Sequence, residues 1–120
     1  MEGDMAMESN INFEQIKDIS EGDRDFEQEI ITMYLEDTRG RIQTLESHLA
    51  EQNWEHLKRE AHTLKGSSGN IGVDCTFKLC KQLEQASLDQ DEQKAKELVA
   101  SIKTMTEEVA ELFKSYLASP

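Results

Sequence analysis

Residues 53–72 read NWEHLKREAHTLKGSSGNIG. Placed on a helical wheel, Trp54, Leu57, Ala61, Leu64, Ser68 and Ile71 fall on one stripe, three and four residues apart. That spacing predicts a helix whose stripe faces the core of a bundle. His62 lies off the stripe, turned roughly 130° from its centre at about 100° per residue. It points to solvent, and Gly66 and Gly69 follow it on nearly the same meridian. A glycine inside a helix costs about 1 kcal/mol relative to alanine. Two of them beside one exposed histidine indicate a surface kept low so that something large can reach the imidazole.

Outward from this stretch the chain divides into further helices. A short amphipathic segment begins at Asn12 and carries Phe13, Ile16 and Ile19; it ends at the turn Glu21-Gly22-Asp23, which also supplies an N-cap. A long helix is expected from about Arg24 to Gln52, with its spacing set by Phe26, Ile30, Met33, Thr38, Ile42, Leu45 and Leu49. Its first half is apolar on more than one side, through Ile30, Ile31, Met33, Tyr34 and Leu35. Surplus of that kind implies a further packed helix or an interaction surface.

Asn53 caps the central helix and Gly72 is placed as the residue that ends it. A fourth helix, with Asp74 as cap, runs to about Leu88 and turns Phe77, Cys80, Leu83 and Ser87 inward. After the turn Asp89–Asp91, a fifth runs to about Ala118 with the repeat Ala95, Leu98, Ile102, Met105, Val109, Leu112 and Tyr116. Short turns between helices imply antiparallel neighbours. The expected fold is therefore all-α, an antiparallel up-down four-helix bundle with a short additional N-terminal helix. The domain is placed at residues 11–118, after a disordered segment 1–10.

Composition narrows the function. The 120 residues form one domain with one modest core. The chain has no apolar run long enough to span a membrane and no secretory leader pattern. A net charge of −12, from 25 acids and 13 bases, argues against nucleic acid as a partner. The charge is uneven, however: between Lys58 and Lys81 stand the bases Lys58, Arg59, Lys65, Lys78 and Lys81 against the acids Glu60 and Asp74. A locally basic surface around His62 suits an anion, with phosphoryl groups the commonest case. The alternative is a solvated face with chance clustering.

Cys75 and Cys80 are five apart, neither a redox pair nor a zinc-ribbon spacing, and read as reduced, partly buried thiols. His48 and His56 lie among polar residues and read as ordinary surface histidines. His62 has Lys65 at i+3, where an ammonium can reach a group carried on the imidazole. Ser67 and Ser68 follow. An ordinary histidine pKa near 6.5 leaves a neutral ring with one free nitrogen at neutral pH, as a nucleophile requires.

The run His62-Thr63-Leu64-Lys65-Gly66-Ser67-Ser68, continuing through Ile71-Gly72 to Leu79-Cys80 and Leu83-Glu84, closely resembles the histidine phosphotransfer (HPt) domain family. The likeness covers roughly residues 12–117. It implies a four-helix bundle whose exposed histidine takes a phosphoryl group from a receiver-domain aspartate and hands it to another. By that resemblance His62 is the phosphoacceptor, Lys65 assists with the phosphoryl charge, Gly66 leaves room for the receiver, and Glu84 orients the site through hydrogen bonds. Ser67 and Gly69 support it, and Ile19, Ile30 and Met33 form the docking patch.

The implied partners are response regulator receiver domains and a hybrid sensor histidine kinase. Mg²⁺ is expected on the receiver, with no cofactor or metal on this chain. A monomer is expected, cytoplasmic and in a eukaryote also nuclear. The chain would act as a phosphotransfer intermediate without ATP-dependent kinase activity, since it has no Gly-rich nucleotide motif. The initiator-like Met1 favours a free-standing protein. Three other readings compete: a phosphoacceptor domain within a larger hybrid or chemotaxis-type kinase, a metal-binding bundle using His62, Cys75 and Cys80, and a structural helical adaptor.

Overall fold

The computed structural model describes residues 10–119. Five helices follow in order: α1 Phe13–Ser20, α2 Arg24–Ala50, α3 Trp54–Ile71, α4 Asp74–Leu88 and α5 Glu92–Ala118. Helices α2 to α5 each pack on their neighbours in sequence, and α5 returns to α2, which closes a four-helix bundle; α1 lies against α2. The expected all-α architecture is the one observed. The segment 1–10, read as disordered, lies outside the described residues except for Asn10.

The helix starts follow side-chain chemistry. Asn12, Asp23, Asn53 and Asp91 each accept a hydrogen bond from the amide three residues on, which satisfies one of the free donors of the first turn. Helix α4 is the exception. Its cap position is Val73, which makes no side-chain capping bond, and Asp74 sits inside the first turn instead. The expected Asp74 cap is thus one residue out; the carboxylate serves the helix dipole rather than an amide.

The ends of α1 to α4 use left-handed residues. Gly72 has φ 87°, and Val73 N–H reaches the Ser68 carbonyl at 2.8 Å. A Cβ on Gly72 would lie 2.8 Å from the Asn12 carbonyl oxygen. Only glycine satisfies both the backbone and this close approach.

The core stripe of α3 is as read: Leu57, Ala61, Leu64, Ser68 and Ile71 are buried, with Trp54 packed at the rim. Ser68 is tolerated there because its hydroxyl pairs with Tyr34 Oη at 2.7 Å. Burial pushes the Tyr34 phenol up to about 12. Three other details differ from the sequence reading. In α2 the inward residues of the first half are Glu27, Ile31 and Tyr34, while Phe26 and Met33 are exposed. In α5 Phe113 is fully buried and Leu112 is exposed. The heptad spacing used for α5 drifts by about 20° per repeat on a straight helix, enough to move the inward position from 112 to 113. In α4 Phe77 is only half-buried, lying against Gly69, and Leu79 takes a core place instead.

Glu27 is 1% exposed yet fully engaged: Ser20 Oγ donates to it at 2.8 Å, Tyr116 Oη donates at 3.2 Å, and Arg24 lies at 3.7 Å. Arg24 also donates to the carbonyls of Tyr116, Leu117 and Ser119 at the end of α5. Phe13 stacks on Tyr116 and meets Phe113 edge-on. The Gln15 amide donates to the Gly69 and Asn70 carbonyls at 2.8 and 2.7 Å. Helix α1 is thereby tied to the ends of both α3 and α5.

Candidate phosphoacceptor site

His62 stands on the outer face of α3 with 68% of its side chain exposed. Its Nδ1 lies 2.6 Å from Glu84 Oε2 on α4. The other carboxylate oxygen, Oε1, lies 2.6 Å from Lys65 Nζ. Glu84 therefore bridges the imidazole and the ammonium, one oxygen to each. Burial alone would raise the Glu84 carboxyl, but the hydrogen bonds from Lys65 and His62 outweigh it and hold it below the usual carboxylate range. An ionised carboxylate only accepts, so the proton of this bond belongs to Nδ1. In the neutral ring the lone pair then sits on Nε2, which has no hydrogen-bond partner among the described residues.

The two glycines beside His62 have different surroundings. A Cβ on Gly66 would meet nothing within 4 Å, so packing places no demand on that residue. A Cβ on Gly69 would lie 3.1 Å from the ring of Phe77. Gly69 thus has a packing reason of its own, and the reading of a surface kept low for access rests on Gly66. Ser67 Oγ donates back to the Leu64 carbonyl and makes no bond to His62.

Two hollows flank the histidine ridge. On the α3–α4 side a cleft of about 570 Å³ is lined by Lys58, Arg59, His62, Lys65, Lys81 and Glu84, with Leu88 at its rim. On the other side a shallow apolar groove of about 340 Å³ gathers Ile19, Ile30 and Met33 with Ser67, Asn70 and Ile71. The three residues named for docking from sequence do share one surface. Ile19 and Met33 are 44% and 63% exposed. The sequence reading left out Lys58 and Lys81 as site residues, although Lys58 lies one turn before His62 on the same face.

The remaining histidines and cysteines lie elsewhere. His56 is exposed as expected, whereas His48 is half-buried, with its ring tilted by 33° against that of His56 at 5.3 Å between centroids. Cys75 and Cys80 are buried, and burial pushes the Cys80 thiol up to about 12. They do not converge with the exposed His62, and no group of three or more metal-ligating side chains occurs among the described residues. None of the described helices is long and apolar enough to cross a membrane.

Comparison with known proteins agrees with this geometry. A search of curated protein sequences found no match. Among solved structures the chain is similar to histidine-containing phosphotransfer protein B from Pseudomonas aeruginosa, with a TM-score of 0.82, 23% identity, and 89% of this chain and 93% of that one covered. It is also similar to a putative histidine-containing phosphotransfer protein from rice, with a TM-score of 0.82, 19% identity, and 96% and 84% covered. The family model of the Hpt domain matches residues 29–112, most of the chain and all of α3 and α4. The chain belongs to the Hpt domain family, and its role is histidine phosphotransfer in a phosphorelay.

Proposed function

We propose that Nε2 of His62 is the atom that carries the phosphoryl group, taken from the aspartyl phosphate of one receiver domain and passed to the aspartate of another. The observation that carries this reading is the 2.6 Å bond from Nδ1 to the Glu84 carboxylate on an otherwise exposed ring. In the forward step the Nε2 lone pair attacks phosphorus and the N–P bond forms. The acyl O–P bond breaks, and its electron pair stays on the aspartate as carboxylate. The ring becomes cationic at that moment, and Glu84 stabilises it through the Nδ1 proton, which does not leave. The reverse step runs through the same contacts.

Lys65 is a positioning residue in the resting site, since its ammonium holds Glu84. From the flank of the same face it also offsets charge on the phosphoryl oxygens. Gly66 keeps the approach open, and the groove of Ile19, Ile30 and Met33 receives an apolar part of the receiver. The Mg²⁺ required for acyl-phosphate chemistry is held by the receiver. The chain works as a monomer, because each receiver needs the α2–α3 face free.

The test is incubation with a receiver phosphorylated on aspartate. The chain should gain phosphate as the receiver loses it, and the new linkage should be acid-labile and alkali-stable. A receiver that keeps its phosphate, or a chain that gains an acid-stable ester, would refute the proposal.

A further inference from the structure

The cleft beside His62 holds four cations, and only two of them are neutralised within the chain. Arg59 closes on Glu55 at 3.3 Å and Lys65 on Glu84 at 2.6 Å. Lys58 and Lys81 meet no acid among the described residues. The acids within helical reach of them are already taken: Glu55, three residues before Lys58, pairs with Arg59, and Glu84, three residues after Lys81, pairs with Lys65 and His62. In a chain of net charge −12 two uncompensated ammonium groups on one cleft are a local reversal of sign.

Their placement follows from the antiparallel pairing of α3 and α4. Glu84 marks the level of His62 and Lys65. Lys58 lies one turn toward the start of α3, and Lys81 lies one turn toward the start of α4, which is the opposite direction along the cleft. The two ammonium groups therefore bracket the imidazole diagonally.

We infer that Lys58 and Lys81 form an electrostatic guide that draws the phosphoryl dianion of the incoming aspartyl phosphate to His62. This rests on the proposed phosphoacceptor role of His62. An aspartyl phosphate carries close to two negative charges, whereas the rest of this acidic chain repels it. Neither lysine is bonded to His62 or Glu84, so their action lies in the encounter rather than in the chemical step. Guidance of this kind raises the association rate and fades with ionic strength, because at 0.15 M salt charges are screened over about 8 Å.

The test is the double variant Lys58→Ala/Lys81→Ala, with Lys94→Ala/Lys114→Ala as a control that changes net charge equally on exposed positions of α5. Transfer from a phosphorylated receiver is followed by rapid quench, with receiver concentration and salt both varied. The expected result is a fall of about tenfold in kcat/KM at low salt for the cleft variant, of the order seen for lost steering. Its kcat at saturating receiver should stay unchanged, and the gap should close at high salt. Arginine at both positions should restore the rate, and the control should behave as wild type. Equal kcat/KM in the cleft variant and wild type at all salt concentrations would overturn the inference. So would a loss that persists at high salt or appears in kcat. A wild-type chain that takes no phosphate would instead overturn the role of His62, so the two failures are distinguishable.

Discussion

Removing the Glu84 carboxylate is the perturbation that bears most closely on how the site works. Glu84→Ala deletes the acceptor of the Nδ1 proton and leaves Lys65 without its partner. A hydrogen bond to a charged group contributes about 1.5–3 kcal/mol. Glu84 and His62 are 18% and 68% exposed, so water replaces part of that and reduces it to about 1–2 kcal/mol. In the proposed mechanism the ring becomes cationic only as the N–P bond forms, so the loss falls mainly on the transition state and should appear in kcat, as a drop of roughly five- to thirtyfold. Glu84→Gln keeps an acceptor oxygen without the charge and should fall between wild type and alanine.

The assay is the single-turnover rate of transfer from a saturating phosphorylated receiver, with thermal unfolding measured alongside. Glu84→Ala transferring at the wild-type saturating rate would make the carboxylate a bystander and refute the reasoning. The same carboxyl sets an acid limit. Its folded pKa lies below the ordinary value near 4.3, so its stabilising contribution is fully present above that pH and is lost as pH falls through the folded value.

Further outcomes follow from neighbouring residues. Gly66→Gln should raise helix stability by up to about 1 kcal/mol, since nothing opposes a side chain there, while slowing transfer strongly; unchanged transfer would end the clearance argument. Lys65→Ala should lower the transfer rate by about tenfold without abolishing it, and Lys94→Ala should change nothing; equal effects at the two positions would reduce Lys65 to its net charge. Gly72→Ala should destabilise by about 2–3 kcal/mol in urea unfolding, combining a left-handed residue with a Cβ pressed on the Asn12 carbonyl; a wild-type midpoint would show that this turn relaxes.

The helices and the exposed face that carries His62 were legible in the sequence because both depend on local spacing. The stripe of α3, the caps at Asp23 and Asn53, and the open Gly66 each need only a few neighbouring residues. What was not legible depends on contacts between helices. Glu27 reads as a surface acid, and only Ser20, Arg24 and Tyr116, up to 89 residues away, explain its burial. Gly69 looks like a second clearance glycine until Phe77 of α4 is set against it. Lys65 appears free for a phosphoryl group from its i+3 place, whereas the fold first gives it to Glu84. The excess charge on Lys58 and Lys81 emerges only when the acids that might neutralise them are seen to be occupied.

The central claim is that Glu84 holds Nδ1 of His62 and leaves Nε2 as the acceptor. It is tested most directly by nuclear magnetic resonance of the ¹⁵N-labelled, phosphorylated chain. Long-range imidazole correlations identify each ring nitrogen, and coupling to ³¹P shows which one carries the phosphoryl group. Coupling at Nε2 of His62 alone, absent in His62→Gln, is the expected result. Phosphate on Nδ1 of His62, or on His48 or His56, would contradict the account.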